Sequence, residues 1–164
     1  KDAFLDLTFN PDQKFQRDVT RNVAKRHSQT KKRHAEVGRL GLVIDGTARN
    51  IGKIKKQKKE LEAMGYECAM VYVSTSLDYA IQSDDIRGAT GGRSLGAEMV
   101  TKMHNDVVKN IGVYKKMFGR LLFEVDNSVW EKTPIQTNKL FGILSKWSKT
   151  MPKNKIAKQW MKDN

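Results

Sequence analysis

Cysteine is almost absent from this chain: Cys68 is the only one in 164 residues. That excludes a disulfide framework and makes a reducing, cytoplasmic compartment the expectation. Cys68 lies in the apolar run YECAMVYVS and reads as a small buried hydrophobe rather than a nucleophile. Long hydrophobic runs are missing as well. Nothing approaches the roughly 18 apolar residues that a membrane helix needs, so no membrane partner is expected. The three histidines, His27, His34 and His104, are scattered and have no cysteine partners, which argues against a zinc site. His104 falls on an expected helix, as a surface or packed residue. No H-E-x-x-H occurs, and no glycine-rich phosphate loop of the form G-x-x-x-x-G-K-[ST] is found.

Acidic residues are also few, 18 against 31 Lys and Arg. The net charge is +13 and the pI is near 9.9. Such a balance favours anionic partners: nucleotides, other phosphorylated molecules or nucleic acid. Residues 14 to 39 hold nine Lys and Arg against Asp18 and Glu36. IGKIKKQKKE holds five lysines, and residues 131 to 164 hold eight against Glu131 and Asp163. Each cluster alone reads most simply as a solvated helix face. The tryptophans Trp130, Trp147 and Trp160 lie in the basic C-terminal third, where helix-packing anchors are favoured over base-stacking platforms.

Periodicity predicts the following order. Residues 2 to 8 form a short helix or turn, and Asn10-Pro11-Asp12 a break. A long basic helix covers about 12 to 37 and ends at Gly38. The near-continuous apolar run at 40 to 45 predicts a first strand buried on both faces, as in a parallel sheet. A helix follows over about 50 to 64, then a second strand over 66 to 74 and a short helix capped by Thr75 or Ser76. SDDIRGATGGRSLG, residues 83 to 96, reads as a mobile glycine-rich loop. Val100, Met103, Val107, Ile111, Tyr114 and Phe118 predict a helix over 97 to 118. A third strand covers 121 to 128. After a break at Pro134 comes a helix near 135 to 150, and after Pro152 one near 154 to 162. The alternation predicts one α/β domain over residues 1 to 164, with a parallel sheet between helical layers and a basic helical extension over 130 to 164.

An open parallel sheet binds its ligand at the carboxyl ends of its strands. Asp45-Gly46-Thr47, Ser74-Thr75 and Asp126-Asn127-Ser128 all fall at such ends. Asp45 is the best single candidate, since a strand-end carboxylate can hold Mg²⁺ or position a nucleophilic hydroxyl. Gly46 allows the turn, and Thr47 and Arg49 follow on the same edge. The plainer alternative makes Asp45 the cap of the next helix. Arg87 and Arg93 lie in the glycine-framed 83 to 96 segment, where guanidinium groups can close over a polyphosphate. The plainer alternative is a solvated surface loop.

GRLGLVIDGT, KIKKQKKELEAMGYE, MVYVSTSLDYA, GGRSLGAEMV, NIGVYKKMFG and FEVDNS together resemble P-loop kinases of the zeta-toxin-like group, particularly those carried by bacteriophages. The resemblance covers about residues 15 to 128. It implies a three-layer P-loop NTPase-like fold, ATP and Mg²⁺ as cofactors, and an infected bacterial cell as the setting. The family's phosphate loop and N-terminal strands are expected ahead of Lys1. Asp45 then takes the metal or substrate-activating role, Arg87 and Arg93 the lid positions, and Thr47 and Arg49 the acceptor contacts. Asp2 and Phe4 resemble the tail of a segment that helps hold the phosphate acceptor. The expected activity is transfer of the ATP γ-phosphate to a nucleotide, a nucleic-acid end or a sugar nucleotide. The rival reading is a non-catalytic basic protein, such as a phage component, that touches nucleic acid through residues 14 to 39 and 131 to 164.

Overall fold

A computed structural model describes residues 14–164. The chain forms helix α1 (Lys14–Val37), helix α2 (Ile51–Ala63), strand β1 (Met70–Ser74), helix α3 (Leu77–Ala89), helix α4 (Ala97–Phe118), strand β2 (Leu122–Asp126), helix α5 (Thr133–Ser148) and helix α6 (Lys155–Asp163). Side-chain caps set three of the starts. Asn50 Oδ1 accepts from Lys53 N at 2.8 Å, Ser76 Oγ from Tyr79 N at 3.2 Å, and Asn154 Oδ1 from Ile156 N at 2.9 Å. Each satisfies an amide that the first turn leaves orphaned, worth about 1 kcal/mol. Gly119, at φ +54°, closes α4 in the left-handed region that glycine tolerates best.

β1 and β2 pair in parallel, Met70 opposite Leu122 through Ser74 opposite Asp126. The connection runs through α3 and α4, as parallel neighbours require. α4 covers one face of this pair. Tyr72 is buried there and donates through its hydroxyl to Val107 O at 3.4 Å, and Lys115 pairs with Glu124 at 2.9 Å. On the opposite face Val125 is buried while Val71 and Val73 stay exposed. α5 is tied beside β2 by Gln136, which accepts from Asp126 N at 2.9 Å and donates to Asp126 O at 3.1 Å. The buried apolar side chains among the described residues are Leu61 of α2, Tyr72, Tyr114 of α4 and Val125.

The architecture is α/β with a small parallel two-stranded sheet and flanking helices. Four expectations are corrected. Residues 40 to 45 are not a strand: neither β1 nor β2 pairs with them, and Leu40, Val43 and Ile44 are exposed, Val43 completely. The apolar run supplies the side chains of a buried strand, but burial needs a neighbour, and a lone segment has no ladder to join. Residues 83 to 89 are not loop, since α3 continues to Ala89. Pro134 does not break α5 but sits in its first turn, where its missing N–H costs nothing. The second strand begins only at Met70. Expectations for residues 2 to 8 and for the Asn10-Pro11-Asp12 break lie outside the described residues. Among the described residues no helix is long and apolar enough to cross a membrane.

Candidate functional site

The turn after residues 40 to 45 is held from behind. Ala48 adopts φ +54°, uncommon for a residue with a side chain. Two groups of α4 fix it there. Tyr114 Oη donates to Ala48 O at 2.6 Å, and Asn110 Nδ2 donates to Ala48 O at 3.1 Å and to Arg49 O at 2.9 Å. Tyr114 is fully buried, and burial is the main cause that raises its phenol above the usual value. Asp106, one turn before Asn110, accepts from the Arg49 guanidinium at 2.9 Å. That hydrogen bond is the largest influence holding the Asp106 carboxyl below its ordinary value. Asn50 then caps α2, which excludes Asp45 as the cap.

In front of these anchors Asp45 and Thr47 are exposed, and neither makes a hydrogen bond or ion pair among the described residues. The backbone is thus fixed while a carboxylate and a hydroxyl at its tip stay uncommitted. That is the form of a ligand-facing turn.

The strand ends meet as the topology predicts, for two of the three segments. Asn127 N donates to Ser74 O at 2.8 Å, and Ser74 Oγ to Val125 O at 3.3 Å. Asp126 accepts from Ser128 N at 2.9 Å, and bonds from Ser128 hold its carboxyl below the ordinary range. His104 Nε2 lies 2.9 Å from Thr75 O, so that nitrogen carries the proton. His104 Nδ1 and Thr75 Oγ1 are buried beside this edge without a partner among the described residues. Among the described residues no hydrogen bond or ion pair joins the Asp45 turn to the β1 and β2 ends; α4 touches both, through Asp106, Asn110 and Tyr114 on one side and His104 on the other.

The segment after α3 is strapped down. Asp84 is buried and accepts from Ser94 Oγ at 2.8 Å, Leu95 N at 2.7 Å and Gly96 N at 3.0 Å. Burial alone works to raise its pKa, but these three donors together with Arg87 outweigh burial and lower it. Arg87, exposed on α3, lies 3.8 Å from Asp84, and Arg93 is exposed in the connection. A Cβ on Gly92 would stand 2.9 Å from Arg87 O, so only glycine permits the chain to fold back this tightly. The mobile loop of the sequence reading is therefore a short, anchored turn. Asp2 and Phe4 lie outside the described residues.

Asp84, Asp106, Asn110 and Tyr114 escape a sequence reading. Asn110 and Tyr114 are visible only as α4 positions four apart, on the helix face that also carries Asp106. Among the described residues no group of three or more His, Cys, Asp or Glu could hold a metal ion. Cys68 is half-buried just before β1, and burial is the first cause raising its thiol pKa, as suits an inert residue. An apolar recess of about 170 Å³ between the end of α2 and α6, lined by Arg39, Tyr66, Trp160 and neighbours, does not touch the Asp45 turn.

Comparison with known proteins gives one match, the Zeta toxin family model over residues 7–133. No curated protein and no solved structure matches the chain. The matched span takes in the Asp45 turn, both strands and the whole of α4. The chain belongs to the Zeta toxin family, a P-loop kinase-like family.

Proposed function

We propose that this chain carries the acceptor side of a phosphotransferase that moves the ATP γ-phosphate to a hydroxyl of a nucleotide, a nucleic-acid end or a sugar nucleotide. Family membership implies use of ATP and Mg²⁺. The observation that supports the finer reading is the Asp45 turn, anchored by Tyr114, Asn110 and Asp106, with its own carboxylate unpartnered among the described residues. Mg²⁺ is ordinarily held through one or two carboxylates with substrate phosphates and water, so one uncommitted carboxylate is a fitting protein contribution. Asp45 would hold the ion, which when bound neutralises charge on the phosphates. Alternatively Asp45 accepts the proton of the attacking hydroxyl. Thr47 donates a hydrogen bond to the acceptor. Arg49, aimed by Asp106, offers its remaining N–H groups. Arg87, from the last turn of α3, and Arg93, from the connection whose shape Asp84 fixes, clamp the transferred phosphoryl. The 164 residues contain no G-x-x-x-x-G-K-[ST] sequence, and none of them is assigned the part of that loop in cradling the ATP phosphates. The fold in this reading is a three-layer P-loop domain whose sheet extends beyond β1 and β2.

The test is phosphotransfer by the protein expressed from its whole reading frame, with labelled ATP and Mg²⁺ and a panel of nucleoside and sugar-nucleotide acceptors. Transfer is expected, and Asp45→Asn should lower kcat by about 10²-fold or more. Absence of transfer to every acceptor, or an Asp45→Asn enzyme as fast as the parent, overturns the reading.

A further inference from the structure

Among the described residues α1 packs little against the other helices and strands. Its C-terminal end is tied down through Tyr66 Oη, which donates to Ala35 O at 3.2 Å and to Leu40 O at 3.1 Å. Residues 18 to 31 are exposed without interruption. Along this stretch and the turn beyond it, Arg21, Lys25, Arg26, Lys31 and Arg33 are exposed, and no carboxylate pairs with any of them among the described residues. Lys32 pairs with Glu36 at 2.6 Å. At about 100° per residue, Arg21 and Lys25 form one row. Arg26 and Arg33 form a second, roughly 80–140° away, and Lys31 lies on a third side. Like charges at i, i+4, such as Arg21 and Lys25, destabilise a free helix, and a polyanion removes that repulsion.

We propose that α1 docks on the phosphate backbone of duplex DNA, lying in or along the major groove. The dimensions suit that partner: a helix of 24 residues is about 36 Å long and 10–12 Å across, and the groove is about 12 Å wide. A groove presents phosphates on two sides of an inserted helix, which fits cations on several sides better than a flat anionic surface does. An anionic membrane is disfavoured. A helix lying at a lipid interface needs an apolar face along its length. Here Phe15, Val19 and Val23 supply one only in the first half, and nothing apolar larger than alanine follows before Val37. Narrow, deep-grooved A-form RNA excludes an inserted helix. The inference is independent of the phosphotransfer reading, because none of these cations belongs to the Asp45 site.

The test is fluorescence anisotropy of the intact protein with a fluorescein-labelled B-form duplex two helical turns long, in rising salt. The triple variant Arg21→Gln, Lys25→Gln, Arg26→Gln should bind about tenfold or more weakly near 0.1 M salt, with a log–log salt slope shallower by about three. Lys53→Gln, Lys55→Gln, Lys59→Gln on α2 removes the same charge from exposed positions and should shift affinity less than about threefold. Arg21→Lys with Arg26→Lys should retain parental binding, showing that charge carries it. Equal losses in both triple variants would reduce the effect to net charge and overturn the proposal. So would tighter binding to phosphatidylserine vesicles or to duplex RNA than to the DNA, or no salt-dependent binding at all.

Discussion

The two turns proposed to face phosphate are built in opposite ways. In the Asp45 turn the carboxylate has no partner among the described residues, and the backbone behind it is held by the side chains of Tyr114 and Asn110. In the turn after α3 the carboxylate is consumed: Asp84 is buried and takes three hydrogen bonds that hold residues 94 to 96. Both segments look alike as sequence, each an aspartate near glycine, threonine and arginine. Their side chains divide the work differently. A carboxylate whose hydrogen-bonding capacity is spent inside the fold shapes a site, and one left unspent on a fixed backbone can act on a ligand.

The largest expected effect follows from the spent carboxylate. Asp84→Ala strands two backbone amides and the Ser94 hydroxyl and should cost about 3 kcal/mol of stability, read as a lowered urea midpoint with unchanged slope. The same bonds give a pH dependence. The Asp84 pKa is lowered in the folded chain, so its contribution is present above the ordinary Asp value near 3.9 and is lost as pH falls through the depressed folded value. The stability gap between the parent and Asp84→Asn should accordingly narrow as pH is taken from 7 to below that folded value. A gap that holds constant would mean that Asp84 does not anchor the turn as a carboxylate.

Next comes the support behind Asp45. Tyr114→Phe keeps the buried ring and removes only the donor to Ala48 O, leaving that carbonyl with Asn110. The expected loss is about 1 kcal/mol by chemical denaturation. Because Ala48 sits at a positive φ that its surroundings must enforce, the variant should also lower phosphotransfer through kcat more than through KM. A fall in stability with unaltered kinetics would confine Tyr114 to packing and weaken the contrast between the two turns.

How far these features could be read beforehand varies with the physics involved. α4 is legible to the residue, since its apolar spacing and its closing glycine are local signals. The β1 and β2 ends are legible too, because parallel topology brings carboxyl ends together whatever the side chains. The segment 40 to 45 misleads for the converse reason: apolar content records what a strand could bury, whereas pairing depends on a neighbour that sequence does not specify. The length of α3 is hidden by Ser83, Asp84, Asp85 and Gly88, poor helix formers whose cost is offset by a tertiary contact, the bonds of Asp84 to residues 94 to 96. Asp45 is singled out by position alone, but its support from Tyr114 and Asn110 joins residues more than 60 apart and leaves no local trace.

The smallest expected effect is the most discriminating. Asp45 is exposed and makes no hydrogen bond or ion pair among the described residues, so Asp45→Asn removes no internal interaction. Surface substitutions of this kind stay within about 0.5 kcal/mol, and the urea midpoint should be nearly unchanged. Set beside a loss of phosphotransfer, that silence would show a residue whose cost and benefit both lie with the ligand. Mutating Asp84 should give the reverse pattern, unfolding the turn first and affecting chemistry only through it. If Asp45→Asn destabilises the chain as Asp84→Ala does, its carboxylate is spent inside the fold, and the two turns are the same device.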